Sequence, residues 1–242
     1  MNLRKRLFSR LFLIKMLKLT GVGLAVCLCL FILLNLIFPL PAPLPYSTIV
    51  TDNKGQLMHA FLSADDKWRM KTELDEISPL LQQTILAKED RWFYWHFGVN
   101  PFAVLRAGAR NIFTGRRTSG ASTITMQVAR LMRPAKRTVG NKLIEMFRAF
   151  QLEWKYSKKE ILQLYLNLLP YGGNIEGVKT AAWLYFDKNP DHLSLAEITA
   201  LSIIPNRPTS LVLGKNNDAI VTERNKWLRR FEKERLFGAQ IL

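Results

Sequence analysis

Residues 19–38 form a run of 20 positions without a charge, most of them Leu, Ile, Val, Phe, Ala or Cys. Wound as a helix, such a run is about 30 Å long, the thickness of a bilayer's hydrocarbon core. A chain that carries it must set it aside from any water-facing core and build the rest on one side of a membrane. Arg4, Lys5, Arg6, Arg10, Lys15 and Lys18 precede it with no acid among them. The positive-inside rule therefore places residues 1–18 in the cytoplasm as a basic tail and everything beyond residue 38 outside, a single-pass type II arrangement. A cleavable signal peptide is the competing reading, but the run is long for one, and Phe38-Pro39-Leu40-Pro41 offers no small-x-small cleavage site. Pro39, Pro41, Pro43 and Pro45 make 39–46 a stiff linker that cannot prolong the helix. Both cysteines, Cys27 and Cys29, lie inside the run, so the outer part has neither a disulfide nor a Cys-based metal site.

About 195 residues remain, enough for one domain with its own core. Their charge is uneven. Without the tail, 29 bases face 19 acids, and residues 91–144 hold ten bases and no acid at all: Arg91, Arg106, Arg110, Arg116, Arg117, Arg130, Arg133, Lys136, Arg137 and Lys142. A stretch so one-sided implies a face at positive potential whose ligand is an anion, with Glu89, Asp90, Glu145 and Glu160 at its borders for proton transfer. A pI near 10.1 also suits nucleic acid, yet a tether outside the cytoplasm argues for anionic lipid head groups or lipid-linked substrates instead.

The pattern is mainly helical. Residues 47–51 and 56–61 around Asp52-Asn53-Lys54-Gly55 read as a short β-hairpin. Helices are expected from Pro79, with Ser78 as cap, to Glu89-Asp90, then at 101–113, 124–132 up to Pro134, 141–154, 157–168, 176–186, 194–204 and 220–235.

Each candidate residue has a plainer reading beside the functional one. Glu89 precedes Trp92, Phe93, Tyr94, Trp95 and Phe97, and a carboxylate set against aromatics is partly desolvated, which suits it to proton transfer; otherwise it is a surface acid at a helix end. Asp90 either orients the site or pairs with Arg91, and a histidine in an aromatic turn, such as His96, is more often packed and hydrogen-bonded than catalytic. The segment from Gly120 through Ser122, Thr123 and Gln127 sets hydroxyl side chains at a helix start, where free N–H groups favour an anion but ordinary caps use the same residues. Arg130, Arg133, Lys136 and Arg137 follow as a phosphate site or a solvated face. Glu145 lies three residues from both Lys142 and Arg148, an ion-pair spacing, and Ser157-x-x-Glu160 is a capping box.

The order of these pieces carries more than any one of them. Glu89-Asp90-x-x-Phe93-x-x-His96-x-Gly98, Gly120-x-Ser122-Thr123-Ile124-x-x-Gln127, Lys142-x-x-Glu145 and Lys158-x-Glu160-Ile161-Leu162-x-x-Tyr165-Leu166-Asn167, behind a membrane anchor, resemble the motif series of the peptidoglycan glycosyltransferases over about residues 48–235. That family comprises monofunctional transglycosylases and the N-terminal domains of class A penicillin-binding proteins, and Glu89-Asp90-Arg91-Trp92-Phe93 is nearest to the 1C type. Ala121, Met126, Asn141 and Gln163 depart from the usual Gly, Gln, Arg and Glu. The resemblance implies a lysozyme-like helical domain over 47–242, with a small membrane-dipping lobe at about 92–135. It implies inverting polymerisation of lipid II onto a nascent glycan strand, with polyprenyl pyrophosphate released. In that scheme Glu89 is the general base, Glu145 and Glu160 are the further catalytic candidates, one or the other positioning the leaving group, and Lys142, Arg130 and Arg137 neutralise it. Asp90, Phe93, His96, Ser122, Thr123 and Gln127 line the substrate site, and a divalent cation, Mg²⁺ or Mn²⁺, is bound with the pyrophosphate. Membrane lipids and other cell-wall synthases are the implied partners, with no nucleic acid and no protein-held metal, and the location is the inner membrane with the domain in the periplasm. No Ser-x-x-Lys, Ser-x-Asn or Lys-Thr-Gly set occurs, so the transpeptidase half is expected to be missing. A lytic, glycan-cleaving enzyme and an inactive cell-wall scaffold are the alternatives.

Overall fold

The computed structural model describes residues 3–53, 57–114 and 122–237, with side chains at 15–53, 57–110 and 122–237. Helix α1 runs Leu3–Ile37 without a break, through the basic residues of the tail and the apolar run. Its part Lys15–Ile37 is long and apolar enough to cross a membrane, with mean hydropathy 2.5. The helix ends where Phe38 N still reaches Leu34 O at 2.8 Å and Pro39, lacking an N–H, cannot follow. Residues 1–41 and 42–242 are two separate compact units.

In the second unit, β1 (Ile49–Thr51) and β2 (Leu57–Ala60) form the expected antiparallel hairpin, with Val50 opposite His59; Lys54 and Gly55 of its turn lie outside the described residues. A three-stranded sheet was not foreseen. Its strands β3 (Trp68–Arg69), β4 (Pro170–Gly172) and β5 (Ile175–Glu176) stand in the order β3-β5-β4, and at two or three residues each they are too short to show an alternating pattern. Arg69 holds this sheet to the linker. Its buried guanidinium bonds Glu176 (2.6 Å), Asp65 (2.9 Å) and the carbonyl of Pro45, so a costly buried charge is paired on all sides.

The remaining helices are α2 (Pro79–Glu89), α3 (Pro101–Thr114), α4 (Ile124–Met132), α5 (Val139–Lys155), α6 (Lys158–Leu168), α7 (Val178–Phe186), α8 (Leu195–Ile203) and α9 (Asn217–Lys233). Caps set several boundaries. Thr138, Ser157 and Ser194 each accept from the backbone N–H three residues on, whereas Ser78, the expected cap of α2, makes no such bond. Two packing layers form the core: α4 against α5 and α6, and α8 against α2 and α9. Ile124, Val128, Leu152, Ile161 and Leu162 fill the first, and Leu81, Ile85, Ile198 and Leu201 belong to the second, all buried. Each such side chain contributes about 1.5–3 kcal/mol by leaving water. Asn167 locks α6 to the chain before α2, because its buried amide accepts from Thr72 N and donates to Thr72 O, both at 2.9 Å.

Gly177, the N-cap of α7, has φ +86°, and a Cβ there would sit 2.8 Å from Asn167 O. Gly177→Ala is therefore expected to lower stability by about 1–3 kcal/mol, since the conformation is open only to glycine and the neighbour is backbone. Thermal or denaturant melting of the full chain in detergent checks this; a variant that melts with the parent would contradict it.

Candidate active site

Helix α2 ends at Glu89 because Asp90, its C-cap, turns the chain away. The Asp90 side chain is buried and holds three segments together. Both carboxylate oxygens lie 3.0–3.1 Å from Nε2 of His96, and Oδ2 also accepts from the backbone N–H of Ile124, the first residue of α4, at 3.0 Å. A carboxylate can only accept, so the His96 proton sits on Nε2. The anion expected at the start of α4 is thus the chain's own Asp90. Of that segment, Gly120 and Ala121 lie outside the described residues. His96 is packed and hydrogen-bonded, the plainer of its two readings, whereas Asp90 pairs with His96 and Ile124 N–H rather than with Arg91, which lies nearest Glu234.

Around this pair the neighbours interlock. Thr123 caps α4 through Met126 N (3.2 Å) while donating to Gly98 O (2.5 Å). Gly98 has φ +74°, and a Cβ on it would come within 2.9 Å of Ala149 O, so a glycine lets the aromatic turn close onto α5. Lys158 Nζ donates to His96 O and to Glu153, both at 2.7 Å, and stands 4.4 Å from the centre of the buried Phe93 ring. Phe93 and Lys158 therefore serve the scaffold.

Glu89, placed by that scaffold, has surroundings different from those expected. The aromatic run does not enclose it, since Trp92, Tyr94, Trp95 and Phe97 are exposed. Its carboxylate instead meets the ammonium of Lys88, whose side chain is 2% exposed, and accepts from Gln127 Nε2 at 3.2 Å. Asn206, oriented to satisfy its amide, donates to Glu89 Oε1 (3.1 Å) and accepts from Lys88 Nζ (2.6 Å). Every one of these neighbours except the Lys88-bound oxygen of Asn206 presents a donor, so Glu89 is offered to the site as an acceptor. Behind Gln127 stands Tyr165, which donates to Gln127 Oε1 at 3.2 Å. Burial, and then the nearby Glu89 carboxylate, push the Tyr165 hydroxyl well above the ordinary phenol range, so it stays a donor. Lys88, Asn206 and Tyr165 were not foreseen as parts of the site. Lys88 adjoins a motif acid in sequence, and Asn206 comes from a turn more than 100 residues away.

A second cluster lies beside α4. Lys142 Nζ donates to Ser122 Oγ (2.6 Å) and to Glu145 Oε2 (2.9 Å). The ammonium is thereby fixed by one hydroxyl and one carboxylate, ready for an anion. Arg130 closes α4, half-buried and near enough to act on Tyr165, while Arg133, Lys136 and Arg137 stand exposed beyond it. Arg116 and Arg117 lie outside the described residues. Glu160 does not join either cluster in the hydrogen bonds observed. It is exposed, and its Oε2 accepts from the N–H and hydroxyl of Ser157, both at 2.7 Å, so the capping box accounts for the contacts it makes. The described residues include no group of three or more His, Cys, Asp or Glu able to hold a metal. An open apolar groove of about 780 Å³ lies to the side, lined by Trp92, Trp95, Phe97, Phe102 and Phe150 among others.

Glu89, a carboxylate accepting from Gln127 of α4, and Lys142, an ammonium fixed on Ser122 just before that helix, stand in an acid-poor part of the chain. The chain belongs to the transglycosylase family, whose sequence profile matches residues 54–232, and its class is that of the peptidoglycan glycosyltransferases. It is 42% identical over 182 residues to penicillin-binding protein 1C of Escherichia coli strain K12, covering 75% of this chain and 24% of that protein. Penicillin-binding protein 1A of the same organism is 36% identical over 200 residues, covering 79% and 24%. Penicillin-binding protein 1A of Aquifex aeolicus strain VF5 is 34% identical over 191 residues, covering 78% and 26%. The chain spans about a quarter of the length of these curated relatives.

The Glu160 carboxyl is held below its ordinary range first by the Ser157 backbone N–H and then by the Ser157 hydroxyl. With the folded value depressed, the cap's contribution is present at neutral pH and fades as pH falls through that value. Glu160→Gln keeps the acceptor. It should flatten this acid dependence in melting curves and leave turnover at the parent level; a loss of turnover would return Glu160 to the site.

Proposed function

We propose that this chain polymerises lipid II into glycan strands by inverting transfer, releasing polyprenyl pyrophosphate. The observation that carries the reading is the placement of Glu89 on Gln127 of α4, the helix whose first turn lies beside the Lys142–Ser122–Glu145 cluster. Glu89 takes the proton from the 4-hydroxyl of the acceptor sugar. The freed oxygen attacks the anomeric carbon of the growing strand, and the bond to the lipid pyrophosphate breaks with its electron pair leaving on phosphate. Lys142, Arg130 and Arg137 offset that charge, which builds as the bond stretches. Glu145 acts by holding Lys142 in place. A divalent cation travels with the substrate pyrophosphate, adding charge neutralisation there, and no step depends on a metal held by the protein.

The same reading covers location. Residues 15–37 span the inner membrane with the basic tail in the cytoplasm, and the domain faces the periplasm. The exposed Trp95, Phe102 and Leu105 of the groove and α3 lean on the head-group layer with the neighbouring arginines, so lipid-linked substrate is taken from the bilayer. Membrane lipids and other cell-wall synthases are its partners.

Labelled lipid II incubated with the purified full chain and magnesium should yield polymer; cleavage of preformed glycan instead would mark a lytic enzyme, and neither would mark a scaffold. Glu89→Gln should lower polymerisation by about 10²- to 10⁴-fold while the protein melts as the parent does; turnover within about threefold would sink its role as base. Lys142→Ala should slow polymerisation, whereas Arg224→Ala on α9 should not. Equal effects at both positions would reduce the basic stretch to a solvated surface.

A further inference from the structure

Lys88 precedes Glu89 in α2, and adjacent residues of a helix do not ordinarily face each other. These two meet because Glu89 is the last residue of α2, which lets its Oε1 turn back to the Lys88 ammonium. With 2% of its side chain exposed, Lys88 is a buried cation, a rare state that needs partners on several sides. Asn206, from the turn Ile204–Asn206 after α8, is the second partner. Its Oδ1 accepts from Lys88 Nζ at 2.6 Å, while its Nδ2 donates to Glu89 Oε1 at 3.1 Å. The indole of Trp227 on α9 is the third, its ring centre 5.4 Å from Nζ. One amide thus bonds both members of the pair, and groups from two helices and a turn converge on it.

Withdrawing a carboxylate from water favours the neutral acid, which cannot take a proton, whereas an ammonium in contact favours the charged form. The Glu89 side chain is 16% exposed, and its other neighbours do not replace Lys88. Gln127 and Asn206 are neutral donors, the Tyr165 hydroxyl of α6 stays protonated, and Asp90 at the next position carries a like charge. Arg130 of α4 stands near Tyr165, and Arg230 of α9 lies over the Trp227 ring, 4.7 Å from its centre. Arg230 and Arg91 both turn to Glu234, at 2.9 and 3.9 Å. Among the described residues, Lys88 is the cation that contacts the Glu89 carboxylate.

We propose that Lys88, held by Asn206 and Trp227, is a positioning residue that keeps Glu89 charged and so sets the lowest pH at which this carboxylate acts as a base. This rests on the reading of Glu89 as the general base of the transfer. Lys88 itself touches no substrate. At higher pH the same contact works against rate, because a carboxylate bonded to an ammonium is the weaker base. The pair therefore extends activity toward acid at some cost in turnover under alkaline conditions.

The test follows polymerisation of lipid II by the full chain in detergent, from mildly acidic to mildly alkaline pH. Lys88→Met fills the same space without the charge. Its acid limb should move up by about one pH unit or more, the size of effect an opposite charge in contact exerts, while alkaline turnover stays at or above the parent. The two profiles then cross, whereas a merely structural loss lowers turnover at every pH. Asn206 is exposed, so Asn206→Asp is expected to fold; its carboxylate, set against both Lys88 and Glu89, should move the limb in the same direction. That variant decides the matter if Lys88→Met does not fold. Lys215→Met removes an equal charge from an exposed turn and should keep the parent's profile. Separately from turnover, the carboxylate infrared band that Glu89→Gln removes is followed with pH in the parent and Lys88 backgrounds, and it should vanish at higher pH without Lys88. The inference is overturned if Lys88→Met keeps the parent's profile, if it loses the same factor at every pH, or if the infrared band responds to pH alike in both backgrounds. A parent that makes no polymer removes the polymerase reading, and the infrared comparison then decides the role of Lys88 alone.

Discussion

One buried carboxylate holds the geometry on which the rest depends. Asp90 ends α2, accepts from the Nε2–H of His96 and accepts from the first N–H of α4. Each of these satisfies a group that would otherwise be orphaned on burial: the carboxylate itself, one imidazole nitrogen and a helix-start amide. The three segments therefore cannot move independently. Glu89, the residue before Asp90, and Gln127, one turn into α4, meet because Asp90 fastens Ile124, three residues before Gln127.

From that point the polar contacts run outward along α4. Thr123 fastens the aromatic turn through Gly98 O, and Thr125 donates to the buried Glu153 at 2.7 Å, which also pairs Lys158. Gln127 relays between Tyr165 and Glu89. A nine-residue helix with few interior residues would be marginal alone; here it is held at its start, middle and side by groups from α2, α5 and α6. Charge follows a different rule on the two sides of α4. Lys142 and Lys158 find Glu145 and Glu153 on α5, whereas Arg148 is pushed below the ordinary arginine range by burial and then by the charge of Arg133.

Periodicity and capping chemistry made most of the helices readable. Thr138, Ser157 and Ser194 act as caps in the structure, and the α4 limits agree with the sequence pattern because Thr123 starts the helix and Pro134 follows its end. The β3-β5-β4 sheet was hidden, since strands of two or three residues leave no period and their pairing depends on Arg69 and Glu176, 107 positions apart. The residue types of the site were legible in motif order, but their surroundings were not. Nearness in sequence suggested that Trp92 to Phe97 would enclose Glu89, yet Trp92, Tyr94, Trp95 and Phe97 turn outward, Phe93 packs into the core, and Lys88, Gln127 and Asn206 meet the carboxylate instead. Glu160 shows the reverse: the capping-box spacing, a local signal, described its position better than the motif did.

The claim that Asp90 sets the site by holding α4, rather than by touching substrate, is tested most directly by comparing Asp90→Asn with Asp90→Ala for polymerisation of lipid II and for exchange of the Ile124 amide hydrogen. Asparagine retains an acceptor for Ile124 N–H and should keep that amide protected along with most of the turnover. Alanine should release the amide and lose turnover with it. An alanine variant whose Ile124 amide exchanges freely while polymer forms at the parent rate would contradict the account.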